Sequence, residues 1–151
     1  MIILLGAILL LAQDPKADPP VNCAEAQTTL DMERCASTDV ATSEARVRTY
    51  LAAARTALRA DVEADAPGMG DAAVAALDAS QVQWSAYYAG ACDVVYSRWQ
   101  GGTIRGLMAL GCKERLLLDR AHDLWSDYLV GLGDQEPVLP EPMAPDAVPA
   151  T

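Results

Sequence analysis

Phenylalanine is absent from the 151 residues, and aromatic side chains reach only 5%. Much of the apolar count therefore rests on alanine, which favours helices over strands. Basic residues are scarce: 11 Lys and Arg face 21 Asp and Glu, for a net charge of −10. Binding to DNA, RNA or an anionic membrane surface needs a basic face, so the balance excludes those partners and leaves cationic proteins open. There is one histidine, His122. The longest apolar run, Ile2–Ala12, falls well short of the roughly 20 residues that a membrane span requires. Catalytic signatures are missing too. The chain has no Gly-x-Ser-x-Gly elbow and no phosphate loop. No two of its cysteines stand two to four residues apart, so no zinc site is expected. His122 has no nucleophile or orienting acid at a useful spacing. The expectation is no enzyme, no metal and no cofactor.

What is present begins with that apolar run. Residues 1–12 read as a secretory signal peptide, although no Lys or Arg precedes the run and Leu10 is large for the position before a cleavage point. Pro20, Val21 and Asn22 before Cys23 do not form a lipobox. An extended segment at 13–22 holds Pro15, Pro19 and Pro20. A tail at 134–151, with prolines 137, 140, 142, 145 and 149, is expected to be disordered and acidic, since prolines cannot propagate a helix. Between them, 23–133 is expected to form one globular domain, in a chain that is 52% hydrophobic over its full length.

That body reads as helices. Thr28 and Thr29 offer a cap, with Asp31 in the first turn. Val47, Tyr50, Leu51, Ala54, Leu58 and Val62 share one helical face. Thr38 or Asp39 offers a second cap that would kink or divide this stretch. Pro67-Gly68-Met69-Gly70 ends it, and Asp71 is placed to cap the next helix. There Val74, Leu77, Gln81, Trp84, Tyr88, Ala91 and Val95 recur at steps of three and four. Gly101-Gly102-Thr103 makes a turn. Leu107, Leu110, Leu117, Ala121, Leu124 and Tyr128 line a third helix, which Gly131 and Gly133 stop. The fold class is all-α: a small antiparallel bundle of about three main helices.

Four cysteines behind an export signal read as two disulfides. In a hairpin turning at Gly101-Gly102, Cys92 and Cys112 fall at similar heights. Cys23 and Cys35 would be about 18 Å apart within one helix, too far to bond. A helix starting near Thr28 lets residues 23–27 fold back to Cys35. Geometry therefore favours Cys23–Cys35 with Cys92–Cys112, and the other two pairings stay open. Trp84 is expected to be buried, with Gln81 bonded at the core edge. Trp84, Tyr87 and Tyr88 could stack on a sugar, but their helical spacing reads more simply as core. Asp61, Glu63 and Asp65 read as a solvated helix end rather than a cation site. Trp99, Gln100, Gly101, Gly102 and Thr103 form a candidate partner-binding turn that a Cys92–Cys112 bond would brace.

The combination of Gln81-x-x-Trp84-x-x-Tyr87, Cys92, Gly101-Gly102-Thr103, Cys112 and Arg120-x-x-x-Leu124 resembles the N-terminal domain of LprI-type lysozyme inhibitors. The segment Cys23-x-x-Ala26-x-Thr28, Glu33 and Cys35-Ala36 fits the opening of the same family. Tyr88 departs from it, standing where an Arg is usual, and Leu117 stands where a Thr is usual. The Asp and Leu-Asn that usually precede Tyr50 are missing. The resemblance implies an exported helical protein, periplasmic or secreted, with a basic lysozyme as partner. The functional expectation is a non-enzymatic binding module that inhibits lysozyme by occlusion. The alternative is a structural or assembly protein of the cell envelope without lysozyme contact.

Overall fold

The computed structural model describes residues 21–131 and 136–142. The expected signal peptide, residues 13–20 and the tail beyond 142 lie outside the described residues. A single 3-10 turn, Cys23–Glu25, precedes three helices: α1 (Thr29–Asp65), α2 (Gly70–Arg98) and α3 (Arg105–Tyr128). They run up, down and up. No strand occurs among the described residues. Both disulfides close in the favoured pairing, Cys23–Cys35 and Cys92–Cys112.

Local chemistry explains the element ends. Thr28 is the N-cap of α1, and its Oγ1 accepts the Asp31 N–H at 3.1 Å while donating to the Asp31 carboxylate at 2.7 Å. The helix is not divided at Thr38 or Asp39. Thr38 Oγ1 donates to Arg34 O at 3.1 Å, so the hydroxyl is satisfied by the preceding turn and does not cap. Asp71 does not cap α2 either: Met69 occupies the N-cap without a side-chain bond, and Asp71 pairs with Arg59 at 2.8 Å. Glu63 instead closes the α1–α2 turn, accepting the Gly68 and Gly70 N–H groups at 2.8 and 3.4 Å. Gly68 has φ +86°, a backbone setting that favours glycine. A methyl group at Gly70 would lie 2.9 Å from Arg59 O, so the helices approach closely there.

α3 lies along α1 more extensively than α2 does. Their shared core holds Val47, Tyr50, Leu51 and Ala54 of α1 against Leu117, Ala121 and Leu124 of α3, with Leu77 arriving from α2. Ala54, Ala121 and Leu124 are completely buried. Small side chains at Ala54 and Ala121 let the two helices close together, which is how an alanine-rich sequence without phenylalanine still fills its interior. α2 buries only Gly70, Val74, Leu77 and Cys92, and its outer side leaves Val82, Tyr87 and Val94 exposed.

The expectation that the chain is disordered from 134 onward is corrected for 136–142. This stretch returns to the bundle between α1 and α3. Val138 N–H donates to Leu129 O at 2.9 Å, Tyr50 Oη donates to Pro140 O at 2.6 Å, and Trp125 Nε1 donates to Leu139 O at 3.0 Å. Leu139 packs against the core and Pro142 is buried. Proline forbids helix here but not packing, because a segment poor in N–H groups needs only donors from its surroundings.

Candidate functional site

Two polar constellations stand out. The first is a seam where all three helices meet. Arg120 of α3 donates from Nε to Gln81 Oε1 of α2 at 3.0 Å, and its guanidinium stands 5.8 Å from the centroid of the Trp84 ring. Trp84 stacks on Tyr88 at 5.2 Å with 15° between the planes. Tyr88 Oη donates to Glu44 of α1 at 3.4 Å. Next to Glu44 in the chain, buried Ser43 Oγ donates to Glu114 Oε1 at 2.7 Å. Glu114 Oε2 and Arg120 Nη2 are buried without a hydrogen-bond partner among the described residues.

The electrostatics of the seam follow from this crowding. The Tyr88 hydroxyl is pushed up to about 12, first by burial, then by the Glu44 charge and the bond to it, and last by Glu114. Tyr88 stands where the family resemblance leads one to expect an arginine. A guanidinium there would face both carboxylates with several donors; a phenol supplies one. The sequence motif thus comes together as a structural element. Gln81 bonds across helices as expected, and Leu124 is wholly buried. Trp84 is half-buried, not buried: it packs against the core, with Tyr88 stacked on its ring and the Arg120 guanidinium beside it. Tyr87 is 60% exposed and belongs to neither the seam nor the core.

The second constellation is the α2–α3 end of the bundle. The Cys92–Cys112 bond lies two turns below the connection, and Cys92 is buried. The connection is tight: Gly102 N–H donates to Trp99 O at 2.8 Å, and Arg105 Nη1 donates to Gln100 O at 3.3 Å. Trp99, Gln100, Gly101 and Thr103 are exposed, while Gly102 is half-buried. Beside this turn lies a cleft of about 360 Å³ lined by Glu33, Tyr96, Thr103, Arg105 and Gly106. Arg105 Nε donates to Tyr96 Oη at 2.8 Å and its guanidinium stands 5.7 Å from the ring centroid. A methyl group at Gly106 would lie 2.5 Å from Glu33 Oε1, so glycine lets the α1 carboxylate sit against the first turn of α3. The first turn of α3 also favours the approach electrostatically, because a helix N-terminus attracts negative charge.

Glu33, Tyr96 and Arg105 were not singled out as site residues in the sequence. The signal was there for two of them. Tyr96 and Arg105 straddle Gly101-Gly102, so the hairpin argument that paired Cys92 with Cys112 also sets these two opposite each other. At the other end of the bundle, Glu63 is committed to backbone amides, and no cluster of metal-ligating side chains occurs among the described residues. No described helix is long and apolar enough to cross a membrane.

No curated protein and no solved structure matches the chain. The family model described as lysozyme inhibitor LprI does, over residues 22–124, a span holding both disulfides, the Gln81–Arg120 seam and the braced turn. The chain therefore belongs to the lysozyme inhibitor LprI family.

Proposed function

We propose that the protein is an exported, non-enzymatic inhibitor of lysozyme that lays the braced α2–α3 end of its bundle over the enzyme's cleft. The observation that carries this reading is the family match across residues 22–124, which encloses the turn and its disulfide. Export is supported by two closed disulfides, which persist in oxidising compartments, and by the apolar run Ile2–Ala12. The non-enzymatic part rests on the family, whose description is that of an inhibitor.

Occlusion favours a surface that is ordered before contact, because ordering a loop on binding costs affinity. Bonds at Trp99 O and Gln100 O and the Cys92–Cys112 link supply that order. Trp99, 37% exposed, is the aromatic anchor of this end. The net charge of −10 steers a basic lysozyme toward the molecule. Asp61, Asp65 and Asp71 lie at the opposite, α1–α2 end, so much of this charge acts on the encounter rather than at the contact.

The test is a titration of the purified, oxidised protein into several basic lysozymes, following both binding and muramidase activity, with cytochrome c as a cationic control. The expected result is salt-sensitive binding with loss of activity, weakened when Trp99, Gln100 and Thr103 are replaced by Ala. Equal affinity for enzyme and control, with activity intact, removes the inhibitor reading and puts a structural or assembly role in the cell envelope in its place.

A further inference from the structure

The contacts of 136–142 describe a receptor as much as a tail. Two side chains from different helices, Tyr50 of α1 and Trp125 of α3, donate to consecutive backbone carbonyls, Pro140 O and Leu139 O, at 2.6 and 3.0 Å. Such bonds read backbone and not side chain. Leu139 fills an apolar position against the core, and Pro142 is buried. On the surface, His122 Nε2 stands 3.5 Å from Glu141 Oε1. The groove offers donors on both walls and one acceptor, Leu129 O, which takes the Val138 N–H. That pattern suits a segment with few N–H groups of its own, and prolines have none. Aromatic rings whose polar edge donates to the carbonyls of a proline-bearing chain are a general solution to recognising such peptides. The strap lies outside matched residues 22–124, whereas Tyr50 and His122 lie within them.

We propose that the α1–α3 groove is a binding site for a non-helical peptide of the pattern apolar-Pro-x-Pro, occupied in the free protein by its own Leu139-Pro140-Glu141-Pro142. A proline-bearing segment of a protein partner competes for the same groove. Covalent attachment gives the strap an effective concentration on the order of millimolar, so a competitor displaces it by adding contacts beyond these four residues or by being tethered through another interface.

The test uses the full oxidised chain with residues 132–135 replaced by a site-specific protease sequence. After a single cut, the bundle is separated from the C-terminal piece by dilution and gel filtration, and its helicity is checked by far-UV circular dichroism. A fluorescein-labelled peptide of residues 136–142 is then titrated back and followed by polarisation. Saturable binding is expected, together with retention of the cut piece at high protein concentration. Tyr50→Phe in the bundle, which removes the donor and keeps the ring, should weaken binding about fivefold, and Trp125→Phe, which removes the donor and half of the indole, should weaken it at least as much. Replacing both Pro140 and Pro142 of the peptide by Ala should weaken it as well. Three results overturn the proposal: no saturation at millimolar peptide, affinity of the Tyr50→Phe and Trp125→Phe bundles equal to that of the parent bundle, or loss of bundle helicity when the piece leaves. The last would make 136–142 an integral part of the fold.

Discussion

Replacing both Cys92 and Cys112 by Ala opens a cycle with a sequence separation of 20 residues. The loop-closure entropy returned to the unfolded chain corresponds to about 3.3 kcal/mol. Cys92 is 1% exposed, so loss of its sulfur also leaves a small void and adds to that figure. The second disulfide gives a contrast. Cys23–Cys35 encloses a separation of 12, for which the same relation gives about 2.8 kcal/mol. That value assumes that the cycle stays ordered in the native state without its bond. Residues 23–28 are mostly exposed and hold only a 3-10 turn against α1, so they fray once the bond is gone and regain much of the entropy while the bundle stays folded. The expected cost of Cys23→Ala with Cys35→Ala is therefore about 1 kcal/mol, well under the loop-closure figure. Urea unfolding of the oxidised parent and the two double variants measures both, with the m-value as a check on the two-state treatment. In a thermal scan the Cys92/Cys112 variant should melt roughly 10–20 °C lower. A loss under about 1 kcal/mol for that pair, or a larger loss for Cys23/Cys35 at unchanged m, would refute the assignment of rigidity to the α2–α3 end.

Gln81→Ala leaves Arg120 Nε without its acceptor beside an Nη2 that already has none, so a loss of about 1.5–3 kcal/mol is expected, and a cycle with Arg120→Met should recover part of it in chemical denaturation. Tyr88 remains protonated in the folded protein up to about pH 12 but ionises from its ordinary value of 10.0 once unfolded. The native state then holds the extra proton, so stability is full below pH 10 and falls as pH rises toward 12; Tyr88→Phe should flatten that fall and remove a phenol titrating near 12 from the ultraviolet titration. Leu124→Ala, at a wholly buried position between α1 and α3, should cost about 3–4 kcal/mol by equilibrium unfolding. Deleting residues 143–151 should leave lysozyme binding unchanged, whereas cutting back to 134 removes the strap from Tyr50 and Trp125 and should also lower the melting temperature.

The helical frame was legible because its causes are local. A threonine with an aspartate three residues on makes a cap wherever it is not buried, and apolar residues three and four apart must share a face. Val47, Tyr50, Leu51 and Ala54 needed nothing more to be assigned to the core. Chain length and turn position favoured the disulfide pairing that the structure shows, while leaving the other two pairings open. The misassignments came from residues with two local options. Thr38 can cap or can bond back to the preceding turn, and α1 continues through it because Val40, Ser43 and Val47 beyond are buried by α3. Asp71 can cap α2 or pair with an arginine, and Arg59 is in reach only because Gly70 lets the two helices close. Composition could set proline against helix in the tail, but it carried no information about Tyr50 and Trp125, whose donors lie 90 and 14 residues from the carbonyls they meet.

The same distinction separates the two parts of the candidate site. The seam was half readable: spacing put Gln81 and Trp84 on one helical face, and Arg120 joined them through the pattern that resembles the family. Its acidic half was not. Glu44 and Glu114 are two among 21 acids, and nothing in their neighbours along the chain marks them as the pair that faces Tyr88. Only the register of α1 against α3, fixed where the buried faces around Leu51, Ala54, Leu117 and Ala121 pack together, brings Ser43 and Glu114 to 2.7 Å. At the other site, the turn could be located from its glycines, while the cleft beside it depends on Glu33 arriving from α1 against Gly106. A Gly106→Ala variant separates the two: the added methyl collides with the Glu33 carboxylate and should reshape the cleft, yet Gln100 and Thr103 keep their place because their turn is held by Arg105 and Cys112. If lysozyme inhibition survives that change but not Trp99→Ala, the turn carries the contact. Loss with Gly106→Ala at unchanged stability would instead place it in the cleft.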